Sequence, residues 1–313
     1  MTEGKKNYIT ALDFGGSFLK WTLANPGSPY SSIPRKYFSK IKMNSSGSKA
    51  EILGVFLGVL ETAFQTAESI KTRIMGIGIS TPGPFNLGKG ISLMKHKFAS
   101  IYGVNLKEEI KKHFSLEENF PIKFIFDSTA FLTGEAFFGA ARSFNRIIGI
   151  TLGTGIGSAF MLNGKIIEKA KGLPPQGGSY LFLMPHEGGT VEDKISRKAI
   201  INRYIQMGGR FKEDIDVDKI SLLADSGDLI SIEVFKELGL NLGKILKPIA
   251  LEFMPGCIVF GGAISKAFHL FSRPLKKELR NVASLKKITP CKFWDLSALY
   301  GVIGLFSHES LFL

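Results

Sequence analysis

The chain has 313 residues, 44% of them hydrophobic, which is enough for two domains that each bury a core. It carries 40 Lys and Arg against 27 Asp and Glu, a net charge of +13 that favours anionic partners. The basic residues are scattered, at 4–6, 273–280 and 284–288, not gathered with aromatics or on one helix, which argues against nucleic acid and for a solvated lysine-rich surface. Cys257 and Cys291 are too far apart for a paired metal motif and read as buried thiols of a reducing compartment. The N-terminal lysines lead into no apolar signal core, and no apolar run reads as long enough to span a bilayer. The expected location is the cytoplasm, with no membrane partner.

The chain opens with a hairpin. Residues 8–13 read as a strand and 19–25 as its antiparallel return, with a third strand expected at 32–38. The tip holds Asp13, Gly15, Gly16 and Ser17. Two readings stand side by side: an ordinary turn that uses glycine's tolerance of positive φ, or a turn whose backbone N–H groups face a phosphate with Asp13 beside a metal ion. Apolar residues at helical spacing predict a helix over 48–70, with Ser48 and Glu51 as a capping box. Residues 73–80 alternate like a strand and run into "TPGPFN", whose prolines and glycine force an irregular loop. A helix over 106–113 and an apolar strand over 122–126 follow.

After Asp127 the pattern partly repeats: a helix over 128–141, then a second hairpin over 146–167 with Gly153, Thr154 and Gly155 at its turn. Helices are expected at 191–207 and 228–253, a strand at 257–262, a helix from Ser265, and a glycine-spaced helix at 296–308. Two hairpins with glycine tips suggest an internal duplication. The expected division is 1–122 against 123–296, with 297–313 packing back on the first domain. Asp127 ends an apolar strand and starts a helix, where a carboxylate either caps the helix or acts as a base. Phosphoryl transfer asks for a base on the attacking hydroxyl, positioned phosphates and Mg²⁺.

In order and spacing, "LDFGGSFLKWTL", "GIGISTPGPFN", "FDSTAFLTGEAFFGAA", "ITLGTGIGSAFMLNGKI", "VEDKISRKAI" and "PGCIVFGGAIS" resemble the successive signatures of the ROK family of bacterial repressors, open reading frames and sugar kinases. The resemblance implies an α/β, two-domain actin-like sugar-kinase (ribonuclease H-like) fold with a nucleotide cleft between domains. It implies ATP and Mg²⁺ as cofactors, a small-molecule sugar as partner, and Asp127 as the catalytic base. Asp13, Gly15, Gly16, Ser17 and Lys20 match the first phosphate motif, with Mg²⁺ near Asp13. Gly153, Thr154 and Gly155 match the second, and Gly261, Gly262 and Ala263 the adenosine motif. Ser80, Pro82, Gly83 and Glu192 fall on the sugar side. Dimers are common in that family, and a homodimer is one assembly it allows.

The departures bear on substrate. Phe126 stands where the family usually has Asn before the catalytic Asp, and Thr129 replaces a second Asn. Residues 178–184, "GSYLFLM", lack the Glu and His that usually hold sugar hydroxyls. The three-cysteine zinc motif is replaced by "PHEGGTVED", so no zinc is expected; His186 and Glu187 either substitute for the lost pair or belong to a solvent loop. Two functions follow: ATP-dependent phosphorylation of a hexose or amino sugar, or a degenerate binding protein that senses sugar or nucleotide. A repressor would need a DNA-binding domain ahead of the strand at residue 8, for which the sequence leaves no room.

Overall fold

The computed structural model describes residues 7–27, 33–169, 173–174, 180–210 and 214–307. They form two compact units, 7–134 with 296–307 and 135–295. The division falls inside a helix, after Gly134, rather than at 122.

The first unit is built on β1 (Asn7–Phe14), β2 (Phe18–Ala24), β3 (Ser39–Lys42), α1 (Lys49–Ser69), β4 (Arg73–Thr81), the short pair β5 (Phe85–Asn86) and β6 (Ile91–Ser92), α2 (Leu106–Phe114), β7 (Ile122–Phe126) and the start of α3 (Asp127–Phe137). Its sheet runs β3-β2-β1-β4-β7, with β1 antiparallel to β2 and parallel to β4, and β4 parallel to β7. The third strand lies later than expected. Pro34 fixes its own φ and opens a 3-10 turn at Arg35–Tyr37, so pairing to β2 begins at Ser39 opposite Trp21.

Ser48 accepts the Glu51 N–H at 3.2 Å and starts α1, whose Ile52, Phe56, Val59, Leu60 and Ala63 are buried in the core with Leu12, Leu19, Trp21 and Ile79. Against the sequence expectation, α1 is long and apolar enough to cross a membrane by length and composition. That apolarity is spent on the sheet: the helix lies against β1, β2 and β4.

The second unit repeats the plan with β8 (Arg146–Leu152), β9 (Ile156–Leu162), β10 (Lys165–Ile166), β11 (Pro185–His186), β12 (Gly189–Thr190), α4 (Glu192–Ile195), α5 (Arg197–Gln206), α6 (Val217–Asp225), α7 (Leu229–Phe253), β13 (Cys257–Gly261), α8 (Phe268–Glu278) and β14 (Lys287–Pro290). Its sheet runs β10-β9-β8-β13-β14, again antiparallel on one side and parallel on the other. The matching strand orders are those of a duplicated element. The expected helix over 191–207 is two helices, because extended Ser196 breaks the run and its hydroxyl caps α5 at Ala199 N–H. Helix α6 and strand β14 lacked a periodic signal strong enough to be expected.

Helix α3 stops at Phe137, short of 141, because its own Glu135 diverts the chain. This carboxylate has 0% exposure and accepts the N–H groups of Ala140, Lys292 and Phe293 at 2.8, 2.9 and 3.1 Å. The final helix α9 (Ser297–Ser307) belongs to the first unit. It meets α3 backbone to backbone: a Cβ on Gly301 would overlap Ala130 O, and one on Gly134 would overlap Ser297 O.

Gly301→Ala is therefore expected to lower unfolding stability by about 1–3 kcal/mol, the range for an overpacked contact. Gly58→Ala in α1, where a Cβ meets nothing within 4 Å, should be neutral or stabilising by up to about 1 kcal/mol. Urea titrations of the two variants check the contrast, and equal losses would contradict the close crossing of α3 and α9.

Candidate functional site

In the first unit the expected residues converge at the carboxyl ends of β1, β4 and β7, the edge where open α/β sheets take ligands. Register does the placing: Asp13 pairs with Ser80 across β1 and β4, and Thr81 with Phe126 across β4 and β7. Asp13 Oδ1 accepts the Ser80 hydroxyl at 3.0 Å, and Lys20 Nζ lies 3.1 Å from Oδ2. Ser80 has 0% exposure, and its hydroxyl holds Asp13 in place. Pro82 is buried behind the same strand end. The Phe126 ring covers Gly83, where a Cβ would stand 3.3 Å from Cε1.

The glycine turn after β1 is built to leave donors open. The Gly15 N–H closes the turn on Phe18 O at 3.0 Å. Gly16 and Ser17 N–H groups have no backbone acceptor among the described residues, and Ser17 is exposed. Two adjacent N–H groups on a solvent-facing turn suit an anion.

Asp127 opens α3, and its Oδ1 accepts the Ser128 N–H at 2.7 Å. That bond is a capping role, and the residue's own backbone N–H also bears on the carboxyl. Water reaches the side chain although protein encloses it on most sides. This enclosure pushes the carboxyl above the usual carboxylate range; Lys97 pulls it down and Asp13 adds to the rise. Lys97 escaped the sequence reading because "MKHKF" matches no motif. Only the fold brings it beside Asp127.

In the second unit the expected residues also meet at strand ends. Gly153 N–H bonds Gly155 O at 2.9 Å, and Gly153 O accepts the Arg197 N–H at 3.1 Å, fixing the turn against α5. Glu192 lies against this turn: its Oε2 accepts the Ile156 N–H at 3.3 Å, and a Cβ on Gly155 would overlap it. Thr154 and Gly155 N–H groups donate no backbone bond among the described residues. Gly262, at φ +85, passes so close to Leu152 O that a side chain cannot fit. Gly261, Gly262 and Ala263 thus sit beside the Gly153–Gly155 turn, at the end of β13, and Gly262 and Ala263 are exposed.

The segment in the place of the zinc motif is a two-residue hairpin. Glu187 and Gly188 take positive φ between β11 and β12, and Thr190 is tied to Asp193 Oδ2 at 2.8 Å. Glu187 pairs with Lys244 at 3.0 Å, and this hydrogen bond and charge keep its carboxyl below the usual range, with smaller help from His186 and Lys194. Residues 178–179 of the expected sugar block lie outside the described residues. Among the described residues, no group of three or more His, Cys, Asp or Glu could hold a metal ion. One carboxylate, Asp13, beside open N–H donors fits Mg²⁺ that arrives on polyphosphate oxygens with its waters, and does not make a protein cage.

Comparison with known proteins identifies the family and the fold. The ROK family model matches residues 44–308. A glucokinase of Halalkalibacterium halodurans is 24% identical over 298 residues, covering 88% of this chain and 86% of its own. A ROK family glucokinase from Streptomyces griseus, solved in complex with glucose and AMPPNP, superposes with a TM-score of 0.72 at 18% identity, covering 95% and 98% of the two chains. A ROK family transcriptional regulator, a homolog of the E. coli MLC protein, superposes with a TM-score of 0.79 at 21% identity, covering 98% of this chain and 80% of its own. The fold is the actin-like, two-domain α/β fold of the sugar kinases among these neighbours. This chain belongs to the ROK family.

Proposed function

We propose that the protein phosphorylates a sugar hydroxyl at the expense of ATP, with Asp127 as general base and a hexose or amino sugar as acceptor. The observation that carries this reading is the grouping of Asp127, Asp13 and an open glycine turn at one sheet edge. The kinase names of several relatives support it. Asp127 Oδ2 takes the proton of the acceptor hydroxyl as its oxygen bonds to the γ-phosphorus, and the bond to ADP breaks. Gly16 and Ser17 hold phosphate oxygens, and Lys20 and Ser80 fix Asp13. Gly153, Thr154 and Gly155 are assigned to phosphate, and Gly261, Gly262 and Ala263 to adenosine. Bound Mg²⁺ would screen the phosphate charge. Gly83 and Glu192 are assigned to the sugar, and the cytoplasm, where ATP is abundant, is the compartment assigned to the reaction.

A second reading keeps the ligands and drops the turnover. It is favoured by Phe126, whose ring covers Gly83 where the resemblance expects an amide beside the sugar. A regulator among the structural neighbours is in keeping with it.

Asp127→Asn separates the two readings. Asparagine still accepts the Ser128 N–H but takes no proton, so sugar-dependent ADP formation should fall about 10²–10⁴-fold, with nucleotide affinity little changed. Activity that survives the substitution removes Asp127 from the chemistry. The wild-type pH–rate profile offers a second check. The base works only when ionised and its carboxyl is raised, so the rate should fall on acidification with a midpoint above the ordinary carboxylate range. A rate that is flat through that range would contradict it.

A further inference from the structure

Lys97 stands in the loop between β6 and α2, half-buried, with no hydrogen bond or ion pair among the described residues. Its position is built, not incidental. Phe98, the next residue, has 0% exposure and left-handed backbone at φ 54. Its ring stacks on Phe14, at the end of β1, with centroids 4.4 Å apart. The Phe98 N–H bonds Ser45 O at 2.8 Å, and the Met43 N–H bonds Ser17 O at 2.9 Å. Segment 43–45 therefore ties the Lys97 loop to the glycine turn from one side, and the aromatic pair ties it from the other. The outcome is proximity: a Cβ on Gly16 would lie in van der Waals range of Ser45 Oγ, at 3.8 Å, and of Lys97 Cδ, at 4.0 Å.

The Lys97 ammonium is tied to no side chain by a hydrogen bond or ion pair among the described residues, so it can turn to an anion that enters beside the glycine turn. The stem of Lys97 runs over Gly16, one of the two residues with an open N–H, and its charge is felt at Asp127. The geometry points to Lys97 as the cation that holds the transferring phosphoryl group between the Gly16–Ser17 turn and Asp127. This rests on the kinase reading above and adds to it a residue that the family motifs do not supply. As the acceptor oxygen bonds to phosphorus and the bond to ADP breaks, the hydroxyl proton passes to Asp127 and negative charge spreads over the three transferring oxygens. A lysine serves there as a point charge and exchanges no proton.

The test compares binding of AMPPNP and ADP, each with Mg²⁺, to wild type, Lys97→Met and Lys97→Arg by titration calorimetry, with no sugar required. Wild type should prefer AMPPNP by about tenfold or more, as a charge-assisted contact to the terminal phosphate implies. Lys97→Met should lose that preference while keeping its ADP affinity, and Lys97→Arg should recover part of it. Lys97→Gln serves in place of the methionine variant if that fails to fold. With a sugar that turns over, Lys97→Met should lower kcat about 10²–10³-fold and leave the KM for sugar within about threefold. An unchanged AMPPNP preference, an equal loss for both nucleotides, or undiminished kcat overturns the role of Lys97. A protein inert on every sugar that still shows the Lys97-dependent preference sinks the kinase reading and leaves Lys97 as a terminal-phosphate contact.

Discussion

Parallel pairing of β1 with β4, and of β4 with β7, is the constraint on which the first unit depends. Parallel strands end at the same edge, so three segments distant in sequence deliver their last residues to one place. Opposite register partners then become functional neighbours: Asp13 faces Ser80, and Phe126 hands the chain to Asp127. A slip of one residue in the β1–β4 pairing would turn Asp13 or Ser80 to the other face and leave the carboxylate without its hydroxyl, and a slip in the β4–β7 pairing would displace Asp127. The hairpin β1–β2 adds the glycine turn and Lys20 at that edge.

The second unit applies the same logic with different chemistry. Its parallel partners β8 and β13 bring the Gly153–Gly155 turn and Gly261–Ala263 together, and the close approach of Gly262 to Leu152 makes that meeting possible. Among the described residues, the helix that follows β13 opens with no counterpart of Asp127. Glu192 offers an acceptor to the turn, which already spends the Ile156 N–H on it. The first unit thus carries a carboxylate pair, Asp13 and Asp127, at its strand ends, and the second carries glycine turns with open N–H groups.

Much of this was legible in the sequence because the signals are local. The capping box at Ser48, the alternation in 73–80, the apolar 122–126 run and both glycine hairpins each depend on a few adjacent residues. The order of those pieces was enough to suggest the ROK family. What stayed hidden depends on partners remote in the chain. Strand β3 begins where β2 offers a partner, Ser196 breaks a run that looks continuous, and Glu135 ends α3 by bonding to residues 292 and 293. The bond from the Ser80 hydroxyl to Asp13 joins residues 67 apart in the chain and has no local signal. Lys97 carries no motif, and only the Phe14–Phe98 stack and the 43–45 segment bring it to the turn.

The replaced sugar block leaves acceptor identity to chemistry. Phe126 over Gly83 places an apolar ring where the family resemblance expects an amide. The central claim is phosphoryl transfer, and product detection tests it most directly. Purified protein would be incubated with Mg²⁺ and ATP over a panel of hexoses, amino sugars and β-glucosides, and the reaction read by mass spectrometry. The account predicts one phosphorylated sugar formed in step with ADP. Tight binding of sugar and nucleotide with no phosphosugar from any member of the panel would contradict it.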